Sequence, residues 1–371
     1  MVRSEAVVDL DAIRANVERL RSGTSAEVMA VVKADGYGHG LVPSARAALA
    51  GGAAWLGVAF LEEALALRAA GVTAPLLSWL AAPGEDLAAG VAAGVDLSVN
   101  AAWGLAEVAA AARATGRRAR VHLKVDTGLS RAGATVAQWP ELVTAAAKAQ
   151  AADEVEVAGV WSHFAYADAP GHPTIAAQVG VFTEAVRVAR RLGVDPPLRH
   201  LANSAATLTL PAAHFDLVRP GIAVYGLTPV PPRAYGLRPA MTLRTRVALV
   251  KRVPAGSGVS YGHAYTTDRE TSLALVPLGY ADGVPRAATG LGPVRLGGRR
   301  RTVSGRVCMD QFVVDVGDDE VAAGDEVVLF GPGTAGEPTA QDWADTLGTI
   351  SYEIVTRIGG RVPRRYAGGG S

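Results

Sequence analysis

The sequence predicts an α/β fold: an N-terminal (β/α)8 TIM barrel over residues 1–235, then a C-terminal mostly-β domain over 236–366, with 367–371 as a flexible tail. Three observations carry this. Short β-like runs alternate with Ala-rich helical stretches from residue 28 to about 228. The runs are apolar on both faces, as a parallel sheet covered by helices requires. Eight such units fit into roughly 200 residues, the size of a closed barrel rather than an open sheet.

The predicted barrel strands are 28–33, 54–60, 75–80, 95–99, 119–125, 157–163, 198–202 and 216–225. Helices are predicted at 43–50, 61–70, 83–93, 101–115, 136–151, 174–192 and 204–213, several ending near a glycine such as Gly51, Gly71 or Gly116. An opening helix over 9–21 is capped by Asp9 or Asp11. Beyond Pro229–Pro232 the pattern shifts to alternating runs broken by Gly and Pro, at 242–252, 272–278, 301–307, 311–316 and 326–330. Thr339 caps a last short helix over 339–347.

Composition narrows the function classes. A length of 371 residues suits two domains, and 49% hydrophobic content supplies a core. A net charge of +1, with no basic block beyond Arg299–Arg301, argues against nucleic acid. The single cysteine, Cys308, rules out an intrachain disulfide and fits a reducing compartment. Charges come too early for a signal peptide and no apolar run spans a membrane, so a cytoplasmic protein is expected. The histidines lack the spacing to carboxylates of a metal site, and no P-loop or dinucleotide fingerprint is present.

The chain holds 36 basic residues, but only four are lysines: Lys33, Lys124, Lys148 and Lys251. Positive charge is mostly supplied by Arg, so a lysine at the end of a buried strand is a candidate for its amine chemistry. A buried Lys can lose its proton and form a Schiff base, whereas Arg keeps its own. Lys33 ends strand one, Lys124 and Asp126 end strand five, His163 strand six, Asn203 and Ser204 strand seven, and Arg219 strand eight. Singly, each has a bland reading: a snorkelling lysine, a core histidine, a helix N-cap. Jointly, they gather at the strand ends where barrel active sites form. Ser204, with Gly221 and Ile222 after strand eight, marks the region where such barrels dock phosphate.

Ala30-Val-Val-Lys-Ala-Asp-Gly-Tyr-Gly-His-Gly40 resembles the pyridoxal phosphate (PLP) lysine motif of bacterial alanine racemases. His122–Gly128, Arg219-Pro-Gly-Ile222, Val259-Ser-Tyr-Gly-His-Ala-Tyr265, Gly279–Gly283, Gly305–Asp310 and Ser351–Ile354 match that family in its order, over nearly the whole chain. The resemblance implies a barrel followed by a β domain. It also implies interconversion of L- and D-alanine, supplying D-alanine for peptidoglycan, in a homodimer whose active sites are shared between subunits.

By that resemblance Lys33 carries PLP. Tyr37, Ser204, Gly221, Ile222 and Tyr352 hold its phosphate, Asn203 adds a cofactor contact, His163 lies against its ring and Arg219 faces its pyridine nitrogen. Arg131 and Met309 meet the substrate carboxylate. Tyr280, supported by Asp310, narrows the entrance. Lys124 matches a position often carbamylated. Tyr265 is assigned the second acid/base, reaching over from the other subunit. Lys33 then serves the D enantiomer and Tyr265 the L enantiomer.

A tyrosine with an ordinary pKa of about 10 needs a positive neighbourhood to act as a base. His163, Arg219 and His200 are the candidates to supply it. A guanidinium cannot accept the pyridine proton, which disfavours side reactions. Competing readings are a related barrel decarboxylase, whose cysteine motifs are missing here, a broad-specificity racemase, and a PLP carrier that needs no second domain.

Overall fold

The computed structural model describes residues 3–369. Two compact units are present: Ile13–Gly36 with Ser44–Leu237, and Met1–Ala12 with Tyr37–Pro43 and Arg238–Ser371.

In the first unit eight parallel strands form one sheet: β1 Glu27–Val31, β2 Trp55–Val58, β3 Leu76–Ser78, β4 Asp96–Val99, β5 Ala119–Lys124, β6 Val155–Trp161, β7 Leu198–His200 and β8 Leu217–Val218. Each pairs with the next, β1 pairs with β8, and a parallel bridge between Asn203 and Arg219 joins β7 to β8 and closes the ring. The strand residues are buried on both faces, most completely in β2 and β3. This burial is why the sequence reads as continuous apolar runs. Met29, Trp55, Leu77 and Leu217, from four different strands, fill one layer of the interior. Helices follow the strands, including Leu61–Ala69, Ala102–Thr115, Trp139–Ala151 and Pro173–Arg191. The eighth predicted strand, 216–225, stops early. Pro220 ends it, and Ile222–Tyr225 turns into a 3-10 helix.

The second unit is mostly strand. A six-stranded sheet runs in the order Arg299–Thr302, Pro293–Leu296, Glu326–Phe330, Met241–Arg246, Ser4–Asp9, Arg364–Ala367. Leu249–Val253, Thr271–Val276 and Phe312–Gly317 form an antiparallel sheet of three, and Gly258–Val259 pairs with Tyr265–Thr266 as a small hairpin. The helix Ala340–Leu347 is capped as expected, with Thr339 Oγ1 accepting the Asp342 N–H at 3.0 Å and the Asp342 carboxylate accepting the Thr339 N–H at 2.9 Å.

Two boundaries differ from the sequence reading. Residues 1–12 were expected with the barrel, but Ser4–Asp9 is a strand of the second unit, antiparallel to Met241–Arg246 and parallel to Arg364–Ala367. Its alternation buries Ser4, Ala6 and Val8. Of the expected tail 367–371, Ala367 ends a strand, while 370 and 371 lie outside the described residues. No described helix is long and apolar enough to cross a membrane.

Candidate active site

β1 delivers Lys33 to the end of the barrel where the chain turns out of the sheet. The turn is unusual: Ala34, Asp35 and Gly36 have φ of 53°, 53° and 61°, with ψ of 53°, 48° and 44°, and Tyr37 and Gly38 continue at φ of 52° and 80°. Five consecutive left-handed residues cost an L-chain about 1–2 kcal/mol at each non-glycine position. Strain of this kind persists where function requires it. Gly36 N–H closes the turn onto Val32 O at 2.9 Å, and Glu63 accepts the Ala34 N–H at 2.6 Å. The Lys33 amine lies 5.8 Å from the Trp79 ring centroid. Burial, then Arg131, lower its pKa, while Glu63 opposes them.

β5 ends in Lys124, which is buried with its amine 4.1 Å from the Trp161 ring centroid. Burial lowers its pKa to about 7, helped by Arg219, Arg131 and Lys33 and opposed by Asp126. Asp126 instead accepts the N–H groups of Gly128, Leu129 and Ser130, shaping the loop that carries Arg131.

Arg219, buried after β8, stacks 4.8 Å from the Trp161 centroid. It donates to His200 Nδ1 at 3.2 Å, Ser162 O at 2.7 Å, Leu201 O at 3.3 Å and His163 Nδ1 at 3.4 Å. His163 and His200 are both held well below the usual histidine range by burial and by Arg219. Asn203 caps the helix Ser204–Thr209 by accepting the Ala206 N–H, and Ser204 Oγ accepts the Gly221 N–H at 2.8 Å and the Ala223 N–H at 3.4 Å. The barrel unit therefore draws Lys33, Lys124, Arg131, His163 and Arg219 into one electrostatically coupled group. Gly221 and Ile222 follow Arg219 in the chain, and Ser204 is brought beside them by its bond to Gly221 and by the Asn203–Arg219 bridge.

In the second unit Tyr37 packs on Tyr352 with ring centroids 6.2 Å apart. Burial, then Tyr352, raise the Tyr37 pKa above the ordinary phenol range. Met309, Tyr280 and Asp310 stand exposed. Tyr280 and Met309 share one corner, where Tyr280 N–H donates to Cys308 O and Ala281 N–H to Met309 O, both at 3.0 Å. Asp310, next to Met309 in this corner, pairs with Arg361 at 2.8 Å.

Tyr265 does not have the surroundings expected of a base. Its hydroxyl donates to Asp315 Oδ2 at 2.7 Å, and burial, this bond and the Asp315 charge push its pKa up to about 12. His163 and His200, held neutral, supply no positive field. Four residues earlier stands a second phenol that the sequence reading passed over. Tyr261 is 72% exposed at the tip of the hairpin, flanked by Ser260 at φ 64°, ψ −172° and Gly262 at φ 65°. That Ser260 conformation is almost restricted to glycine, and Ser260 Oγ secures it by donating to Arg306 O at 2.9 Å. The Ser-Tyr-Gly-His run already marked a turn tip at 260–263, a signal that distinguishes the two tyrosines.

Among the described residues no cluster of His, Cys, Asp and Glu could hold a metal. Compared with known proteins, the chain matches the family model for the alanine racemase N-terminal domain over residues 8–229 and that for the C-terminal domain over 240–366. It is 68% identical to an alanine racemase of Frankia casuarinae, with 98% of this chain and 96% of that one covered. Among solved structures, alanine racemase from Streptomyces lavendulae superposes with a TM-score of 0.98 at 58% identity, covering 100% of this chain and 98% of that one. Alanine racemase from Bacillus anthracis with bound L-Ala-P superposes at 0.91 and 38% identity, covering 100% and 96%.

Proposed function

This chain belongs to the alanine racemase family, and from that premise we propose that it interconverts L- and D-alanine with pyridoxal phosphate held at Lys33. One observation carries the reading: four cations, Lys33, Lys124, Arg131 and Arg219, gather at the barrel mouth, where burial and the neighbouring arginines lower the proton affinity of both lysines. Such a cluster suits a ligand bearing a phosphate and a carboxylate.

The residues present fit that cofactor. Lys33 would hold it through an amine whose lowered pKa enlarges its neutral, nucleophilic fraction. Tyr37, Tyr352, Ser204, Gly221 and Ile222 would hold the phosphate, Asn203 would complete the cradle, His163 would lie against the ring and Arg219 would face its nitrogen. Bound there, pyridoxal phosphate acidifies the Cα proton of an amino acid.

This chain's own groups then place and move the proton. Arg131 and Met309 hold the substrate carboxylate, and Tyr280 narrows the entrance to favour a small side chain. The neutral amine of Lys33 takes or returns the proton on the D face. The phenol for the L face is Tyr261 rather than Tyr265, supplied by the partner copy of a homodimer. Tyr261 stands free of internal hydrogen bonds among the described residues, whereas Tyr265 is tied to Asp315. Lys124, with a pKa near 7, has enough neutral amine to add CO2 and become an anion that pairs with Arg131. The D-alanine formed in the cytoplasm would feed peptidoglycan synthesis.

The test is an absorbance spectrum of the purified protein before and after borohydride, with chiral analysis of alanine and serine incubated with it. A cofactor band that becomes fixed to the protein, and racemised alanine, are expected. No racemised alanine from protein that carries the cofactor would overturn the reading.

A further inference from the structure

Behind Arg219 a line of polar groups runs through the barrel interior that the proposed proton transfers do not use. His200 Nε2 lies 2.8 Å from His122 Nδ1, and His122 Nε2 lies 3.1 Å from Asp96 Oδ2. Arg120 Nε holds the same carboxylate at 3.1 Å, and Arg120 in turn pairs with Glu156 at 2.6 Å. Arg219, His200, His122 and Asp96 are all buried.

The proton positions along this line follow from one fact: arginine has donors and no acceptor. Arg219 faces His200 Nδ1, so that nitrogen is bare and accepts. The His200 proton is therefore on Nε2 and is donated to His122 Nδ1. His122 must then carry its own proton on Nε2 and donate it to Asp96. Every group is satisfied with both imidazoles neutral, and the order cannot be reversed without setting two N–H groups against each other.

The surroundings are built for this line. Trp161 stacks on His200 at 5.6 Å with the planes 4° apart, and Trp55 meets His122 edge-on at 5.7 Å, so neither imidazole is free to turn. Gly159 sits opposite His122 on β6, and a Cβ there would lie 2.4 Å from His122 Nδ1. Glycine at that position keeps the path open.

We propose that Asp96 and His122 are positioning residues, whose chain of acceptors fixes the tautomer of His200 and thereby the plane in which Arg219 meets its ligand. The proposal rests on the reading of Arg219 as a cofactor contact. The carboxylate works at a distance: it sets which nitrogen of each ring bears hydrogen, and so leaves Arg219 one stable orientation. Buried outer partners of this kind orient the groups that touch ligand.

Nitrogen-15 NMR of the histidine rings tests this on the protein as isolated, and only seven histidines need assigning. Both His122 and His200 should be protonated at Nε2 alone. In Asp96→Asn, Arg120 claims the amide oxygen, the amide NH2 turns to His122, and both rings should switch to Nδ1–H. Pyridoxal phosphate affinity and kcat should each fall about tenfold or more, with KM for alanine little changed. Wild-type rings protonated at Nδ1, or at both nitrogens, would overturn the proposal even if the variant did not fold. So would a folded Asp96→Asn protein with unshifted ring signals, or one with switched tautomers but unchanged cofactor affinity. Wild-type protein that binds no pyridoxal phosphate would instead defeat the functional reading while leaving the tautomer result standing.

Discussion

Replacing Tyr261 or Tyr265 by Phe separates the two phenols by opposite signatures. Tyr261→Phe removes an exposed hydroxyl with no partner among the described residues, so unfolding free energy should change by less than about 0.5 kcal/mol. Tyr265→Phe removes a bond to a half-buried carboxylate. Asp315 keeps the Thr271 hydroxyl and the Gly317 N–H, so the loss should be about 1 kcal/mol rather than the larger cost of an orphaned charge. For activity the order inverts. Loss of a general acid/base is typically worth about 10²–10⁴-fold, or roughly 3–5 kcal/mol of barrier. Tyr261→Phe should fall by that factor in kcat for L- to D-alanine.

The assay is racemisation by circular dichroism in both directions, with wash-in of solvent deuterium at Cα. Tyr261→Phe should still exchange the proton of D-alanine through Lys33 without inverting it, and should leave L-alanine unexchanged. Tyr265→Phe should invert and exchange both within a few-fold of the parent. A hundredfold loss in Tyr265→Phe with near-normal Tyr261→Phe would refute the argument from exposure and from the Asp315 bond. Full activity in both would remove the phenol from the reaction.

The buried Lys124 makes stability pH-dependent. Its folded pKa of about 7 lies below the ordinary 10.5, so the unfolded chain binds the extra proton between those values. In CO2-free buffer stability should be greatest above about 10.5 and be lost as pH falls toward 7, by on the order of 1 kcal/mol per pH unit from this group, and Lys124→Met should flatten that slope in urea titrations at pH 7.5 and 9. Gly38→Ala should destabilise by at least about 2 kcal/mol, because Gly38 has φ of 80° and a Cβ there would meet Val355 O at 2.4 Å. Thr339→Ala should cost about 1 kcal/mol by removing the cap of Ala340–Leu347, read as a lower urea midpoint at unchanged slope.

The barrel was legible because its strands are buried on both faces and carry their apolar character locally. Several strands of the other unit were not. Ser4–Asp9, Pro293–Leu296 and Arg364–Ala367 are short and mix charged with apolar residues, and Ser4–Asp9 and Arg364–Ala367 become strands only through partners far along the chain. The site followed the same division. Lys33, Lys124, His163 and Arg219 announced themselves as polar residues ending apolar runs. Tyr261 and Tyr265 share one motif, and the turn signal of its Ser-Tyr-Gly-His run gains its meaning from the hairpin pairing of Val259 with Tyr265, which leaves Tyr261 at the tip. The buried line from Arg219 to Asp96 left no local trace, since its histidines stand 78 residues apart and Asp96 another 26 from His122.

The barrel mouth is assembled against its own electrostatics. Lys33, Lys124, Arg131 and Arg219 repel one another, with Glu63 opposing at Lys33 and Asp126 at Lys124. Burial alone holds Arg219 at a pKa of about 9. A fold selected for stability alone would place a carboxylate against Arg219, yet Asp96 reaches it only through two imidazoles. That distance matters: a carboxylate in direct contact would neutralise Arg219, whereas one relayed through neutral rings fixes its direction and leaves its charge for a ligand. The repulsion then becomes useful twice. It holds the Lys33 amine closer to its neutral form, as a base requires, and it is relieved only when anionic groups enter, so binding energy is concentrated on a molecule with both a phosphate and a carboxylate to offer.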